Sequence, residues 1–130
     1  MIYLDTSAAA KLIHVEEEST ALAVFLAKRM GTPLASSTLL YPELVRAVSR
    51  RRPDLAPRAV ALTQRMMTVP MVGHIVEHAA TIGNPNLRTL DALHLATAAS
   101  LAPELDAFVT YDKRLAEAAA DIGLPVAAPS

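Results

Sequence analysis

The sequence predicts an α/β fold: a central parallel sheet of four to five strands, layered between helices. Two observations carry this. Short apolar runs alternate with longer helical stretches along the chain. The stretch Thr89 to Leu101 is apolar on nearly every face, as a helix packed in the middle of a protein must be.

The elements follow in order. Ile2-Tyr3-Leu4 forms a first strand. Ser7 to Ile13 reads as a short helix and Glu17 to Met30 as a second, with Leu22, Val24, Phe25 and Leu26 largely apolar and Gly31 as its stop. Pro33 to Ser36 is a second strand. Thr38 opens a helix that runs to about Arg51 and is ended by Pro53. Asp54 and Pro57 stand where a cap and first turn belong, for a helix through Met67. Thr68 to Val72 is a third strand, Gly73 to Ile82 a helix, and Gly83-Asn84-Pro85-Asn86 a turn. After the apolar helix come a fourth strand, Ala107 to Thr110, and a last helix, Lys113 to Ile122, stopped by Gly123. Pro125 to Ala127 is a short edge strand.

The chain has 130 residues, the size of a single domain spanning 1–130. With 52% hydrophobic residues and a mean hydropathy of +0.30 it can bury a core and is no disordered chain. No apolar run reaches the roughly 18 residues of a membrane span. The start, Met1-Ile2-Tyr3-Leu4-Asp5, has an acid where a secretory signal needs basic residues, so the cytoplasm is the expected location and no membrane the expected partner. The absence of cysteine excludes disulfides, thiolate catalysis and Cys-type zinc sites. A net charge of −1 argues against a sequence-independent duplex binder, but not against a nucleic-acid enzyme whose acids are neutralised by metal. The apolar content also points to a surface that a partner covers.

Four acids occupy special places. Asp5 ends the first strand, and Asp112 follows the fourth in Thr110-Tyr111-Asp112. In parallel sheets the functional edge lies at the carboxyl ends of the strands. Glu43 lies early in the helix after the second strand, and Asp91 in the first turn of the apolar helix. Each has an ordinary alternative. Asp5 and Asp112 stand where helix N-caps stand, Asp91 could serve the helix dipole, and Glu43 could be a solvated helix residue. Together they are harder to explain that way. A carboxylate on an apolar helix needs a partner, with Arg88 the nearest cation in sequence. Several carboxylates at one edge repel unless cations join them, and hard divalent ions with oxygen ligands, Mg²⁺ or Mn²⁺, answer that need. On the Glu43 helix, Leu40, Leu44, Val45 and Val48 form the apolar stripe. Glu43, Arg46 and Arg50 share the other side, either as a metal ligand beside phosphate contacts or as a surface ion pair.

Four pieces, Ile2-Tyr3-Leu4-Asp5-Thr6-Ser7-Ala8, Leu40-Tyr41-Pro42-Glu43-Leu44, Leu90-Asp91-Ala92-Leu93-His94-Leu95-Ala96 and Val109-Thr110-Tyr111-Asp112-Lys113-Arg114-Leu115, resemble in their order the PIN-domain family, and more closely its VapC-like toxins. The resemblance covers essentially the whole chain and implies a PIN-like three-layer α/β/α fold. It implies that Asp5, Glu43, Asp91 and Asp112 bind metal, Asp112 as the weakest ligand, with Ser7 and Thr110 as polar helpers. Arg46, Arg50 and Arg88 would contact RNA or phosphate. The activity implied is metal-dependent hydrolysis of RNA phosphodiesters, in a homodimer covered by a VapB-like antitoxin. Part of that partner would lie over the helix pair at residues 7–30, and one of its arginines could mimic the metal's charge.

Other patterns carry less. His74-Ile75-Val76-Glu77-His78 matches a short zinc-protease signature, yet Ile75, Val76, Ala79 and Ile82 give it an ordinary packing stripe. His94, three after Asp91, reads as a packed or solvent-linked histidine or as one that touches the site, and His14 has no pattern around it. Arg50-Arg51-Arg52 suits a helix C-terminus as well as RNA. Rival functions are a housekeeping PIN-type nuclease, a phosphoaspartyl hydrolase built on Asp5, and a PIN-like binding module.

Overall fold

A computed structural model describes all 130 residues. The elements are β1 (Ile2–Leu4), α1 (Thr6–Lys11), α2 (Ser19–Ala27), β2 (Leu34–Ser37), α3 (Leu40–Arg51), a 3-10 turn at Pro53–Leu55, α4 (Ala56–Gln64), β3 (Met67–Val69), α5 (Gly73–Ala79), α6 (Thr89–Leu101), β4 (Ala107–Val109), α7 (Lys113–Asp121) and β5 (Val126–Ala127). All five strands join one sheet in the order β3-β2-β1-β4-β5, and every pairing is parallel.

Strand periodicity builds the layers. Ile2, Leu4, Ala107 and Val109 face one way, into a core filled by Ala8 and Ala9 of α1, Leu22 of α2, Leu40, Leu44 and Val48 of α3, and Ala59 and Leu62 of α4. Tyr3 and Phe108 face the other, into a second core with Ile75 of α5, Leu95 and Ala98 of α6 and Leu115 and Ala119 of α7. Helices therefore cover both faces of the sheet, as the α/β reading requires. The central strands β1 and β4 are wholly buried, which is why they read as unbroken apolar runs.

Boundaries differ from the sequence reading where side-chain bonds or pairing override the apolar pattern. α2 begins at Ser19 rather than Glu17. Ser19 Oγ donates to Lys11 O and accepts from Glu16 N, while Lys11 Nζ bonds Glu16 and Glu18, so these residues form a tight loop. α2 ends at Ala27, and turns carry the chain to Gly31 at φ +93°, a left-handed conformation suited to glycine. α4 stops at Gln64, because Met67 pairs with Ala35 as the start of β3. That strand stops at Val69, since Pro70 has no N–H for the ladder. α5 stops at Ala79, three residues short of Ile82. α6 spans the residues expected. No helix is long and apolar enough to cross a membrane.

Candidate active site

The strand order puts a topological switch between β1 and β4. The chain leaves β1 into α1, on one face of the sheet, and leaves β4 into α7, on the other. The two exits diverge and open a crevice at the carboxyl ends of the strands, where ligands of such folds sit. Asp5 caps α1 and Asp112 caps α7, so both acids stand at that crevice.

Asp5 is 4% exposed. Its Oδ1 accepts from Ala8 N at 2.9 Å, the N-cap bond, and from Ser7 Oγ at 2.7 Å. Its Oδ2 accepts from Thr110 Oγ1 at 2.6 Å. A capping role accounts for the first bond only. Burial pushes the Asp5 carboxyl above its ordinary value, while the bonds from Thr110, Ser7 and Ala8 pull it down. Thr110 Oγ1 also accepts from Asp112 N at 3.1 Å, and Ser7 Oγ accepts from Tyr111 N at 2.9 Å, tying the end of β1 to the end of β4.

Glu43 reaches the same edge from α3. Its Oε1 accepts from Thr6 Oγ1 at 2.9 Å and pairs with His94 Nε2 at 2.7 Å. Arg46, expected as its alternative partner, is exposed and forms no ion pair with it. Leu44 and Val48 anchor the buried side of α3 and thereby turn Glu43 toward the crevice.

Asp91 and Asp112 share a cation. Arg88 Nε donates to Asp91 Oδ2 at 3.0 Å, and Arg88 Nη2 donates to Asp112 Oδ2 at 3.2 Å. Both carboxylates draw the arginine further into its charged form, Asp91 most. Asp112 also caps α7, accepting from Arg114 N and Leu115 N through Oδ1. The partner that Asp91 needs on an apolar helix is thus Arg88, whose side chain is 72% exposed.

Hydrogen bonds, together with the chain step from Asp5 to Thr6, connect the four acids. Asp5 meets the Asp112 backbone at Thr110, Arg88 joins Asp112 to Asp91, and Thr6, next to Asp5, bonds Glu43. No three of the Asp, Glu and His side chains close into a ready-made metal cage. The acids form two groups, one around Asp5 and Glu43 and one around Arg88. Their donors are all carboxylate oxygens, the chemistry of a hard cation such as Mg²⁺ or Mn²⁺, and Arg88 shows that positive charge is accommodated between two of them.

His94 is expected to be packed or solvent-linked or, three residues after Asp91, to touch the site. It is packed, 2% exposed, and also bonds both Glu43 and the hydroxyl of Tyr3. Its spacing of three from Asp91, on one helix face, was the available signal. His74, Glu77 and His78 are exposed on α5 and belong to no metal-holding group. In the basic run, Arg51 pairs with Glu16 and Arg52 with Asp54, while Arg50 is exposed at the end of α3.

The model of the PIN domain matches residues 2–121. Ribonuclease VapC47 of Mycobacterium tuberculosis (strain CDC 1551 / Oshkosh) is 42% identical over 132 residues, covering 99% of this chain and 97% of the relative. Ribonuclease VapC35 of Mycobacterium tuberculosis (strain ATCC 25618 / H37Rv) is 46% identical with the same coverage. Among solved structures, Mycobacterium tuberculosis VapC20, a sarcin-ricin loop cleaving toxin, superposes with a TM-score of 0.79 at 16% identity, covering 99% of this chain and 100% of that one. VapBC2 from Rickettsia felis, bound to a DNA fragment from its promoter, does so with a TM-score of 0.64 at 18% identity, covering all of both chains. These two are likenesses of fold. The layered parallel sheet, Asp5 and Asp112 at its β1/β4 switch and the full-length sequence matches converge on one assignment: the chain belongs to the PIN-domain family, within its VapC-like group.

Proposed function

We propose that the chain, acting as one domain, is a metal-dependent endoribonuclease that hydrolyses RNA phosphodiester bonds and serves as the toxin of a VapBC-type pair in the cytoplasm. The observation that carries this reading is the linking of Asp5, Glu43, Asp91 and Asp112 at one strand edge of a chain with VapC ribonucleases as relatives.

In this reading Asp5, Glu43 and Asp91 hold Mg²⁺ or Mn²⁺, with Asp112 as the outermost ligand. Such an ion would lower the pKa of a bound water and set positive charge against the phosphate. The protein's own groups prepare the place. Ser7 and Thr110 fix the two oxygens of Asp5, which suits a rigid ligand better than a nucleophile. Arg88 stands between two acids and the solvent, placed to take a phosphate oxygen when it releases a carboxylate. Arg46 and Arg50, exposed on α3, extend the basic surface for the RNA backbone.

The VapB-like antitoxin covers the shallow groove of α1 and α2, lined by Leu12, Val15, Ala23 and Val24, where Val15 is 95% exposed. Met67, Met71, Val72 and Val76, exposed near the β3 edge, serve the homodimer. The decisive experiment is cleavage of a structured RNA by purified protein with Mg²⁺ or Mn²⁺. Asp5→Asn, Asp91→Asn and excess EDTA are each expected to abolish cleavage while the protein stays folded. Undiminished cleavage in EDTA would overturn the reading.

A further inference from the structure

The second core contains one histidine, and its placement is unusual. His94 sits among Ala92, Leu95 and Ala96 on α6, where an apolar side chain would pack without desolvating two ring nitrogens. Both nitrogens are used. Nε2 contacts Glu43 Oε1 at 2.7 Å and Nδ1 contacts Tyr3 Oη at 2.7 Å. Because a carboxylate accepts, Nε2 carries the proton; Nδ1 then accepts from the Tyr3 hydroxyl, which burial holds firmly in its phenol form. Tyr3 is itself fixed, stacked on Phe108 with ring centroids 5.3 Å apart and edge-on to His94 at 5.9 Å.

The result is a directed chain of donors from the middle of the sheet to the crevice: Tyr3 O–H to His94, and His94 N–H to Glu43. It crosses layers, since Glu43 belongs to α3 on one face and His94 to α6 on the other. Thr6 adds a second donor to the same oxygen, so both inward bonds of Glu43 fall on Oε1 and leave Oε2 to a ligand. Outer hydrogen bonds of this kind orient a coordinating carboxylate.

We propose that His94, braced by Tyr3, is a positioning residue that fixes the Glu43 carboxylate for metal binding. This rests on the reading of the acids as metal ligands. His94 touches neither metal nor RNA; it sets the rotamer of the group that does.

The test compares Mn²⁺ binding by calorimetry, thermal melting, and cleavage as a function of Mn²⁺ concentration in a set of variants. The double variant Tyr3→Phe/His94→Leu removes both partners of the buried bond and is expected to melt near the wild type. Its Mn²⁺ dissociation constant is expected to rise about 10–100-fold, the usual effect of losing an outer-sphere partner. Its cleavage rate should recover substantially at saturating Mn²⁺. His94→Gln retains an N–H near the Nε2 position and His94→Asn does not, so the first should bind Mn²⁺ more tightly than the second. This pair keeps the test decisive if the double variant fails to fold. Wild-type Mn²⁺ affinity in the folded double variant, or equal affinities for His94→Gln and His94→Asn, would overturn the positioning role alone. A wild type that binds no Mn²⁺ would overturn the metal reading and this inference with it.

Discussion

The two ends of the acidic site are built by opposite means. At the Asp5 end a buried carboxylate is surrounded by neutral donors, two hydroxyls and a backbone N–H, and its geometry is fixed by the meeting of β1 and β4. At the Asp91–Asp112 end the carboxylates are partly exposed and are held by a solvent-facing arginine. The first arrangement costs desolvation that hydrogen bonds, more than any neighbouring charge, offset. The second is an ion pair that water and salt weaken. In the proposed reading, the first end supplies a fixed ligand and the second a side that can exchange its cation for metal or phosphate.

The largest expected effect lies at the buried end. Asp5→Asn should lower cleavage by more than the 10–100-fold typical of an outer-sphere change, while raising the melting temperature of the metal-free protein. The amide keeps the acceptor for Ala8 N and removes a desolvated charge. If the variant melts lower than the wild type at neutral pH, the contrast between the two ends is wrong. Next comes Thr110→Val, which keeps shape but removes the donor to Asp5 Oδ2 and the acceptor for Asp112 N. Loss of a hydrogen bond to a charged, buried acceptor is worth about 1.5–3 kcal/mol, measurable by urea unfolding.

A pH series sharpens the same point. Because burial raises the Asp5 pKa, the folded chain holds that proton more tightly than the unfolded one. The group favours folding at acid pH, and this contribution fades as pH rises through its folded value. The melting advantage of Asp5→Asn over the wild type should therefore be small near pH 4 and grow toward about pH 7. A constant gap would refute the desolvation argument. The smallest effect belongs to Arg88→Ala. An exposed ion pair contributes about 1 kcal/mol at most, so removing this competitor should tighten Mn²⁺ binding by no more than about fivefold, and less in high salt. Weaker Mn²⁺ binding in that variant would show that Arg88 supports the ligands rather than standing in for a cation.

Much of the design was legible in the chain. Alternating runs predicted a parallel sheet, and Asp5 and Asp112 fell after the two central strands because those strands are buried on both faces and read as plain apolar words. α6 was read to the residue because it is apolar throughout and Arg88 precedes it in extended conformation. Helix ends elsewhere were not legible. The loop around Lys11, Glu16 and Ser19 is set by side-chain bonds, and the end of α4 by strand pairing, neither of which leaves an apolar period. The partners of His94 were not legible for a related reason: they lie 91 and 51 residues away, so only the folded sheet reveals that its nitrogens are occupied. That Glu43 meets a histidine, and not the Arg46 of the alternative reading, has the same origin.

The outermost strands have one more consequence. β3 has three residues and is followed at once by Pro70; β5 has two and is preceded by Pro125. Borders this brief, each flanked by a residue without an amide hydrogen, offer little backbone for another chain to zip onto. The sheet is thereby guarded against runaway stacking into fibres, and associations with other molecules are left to side chains rather than to backbone pairing.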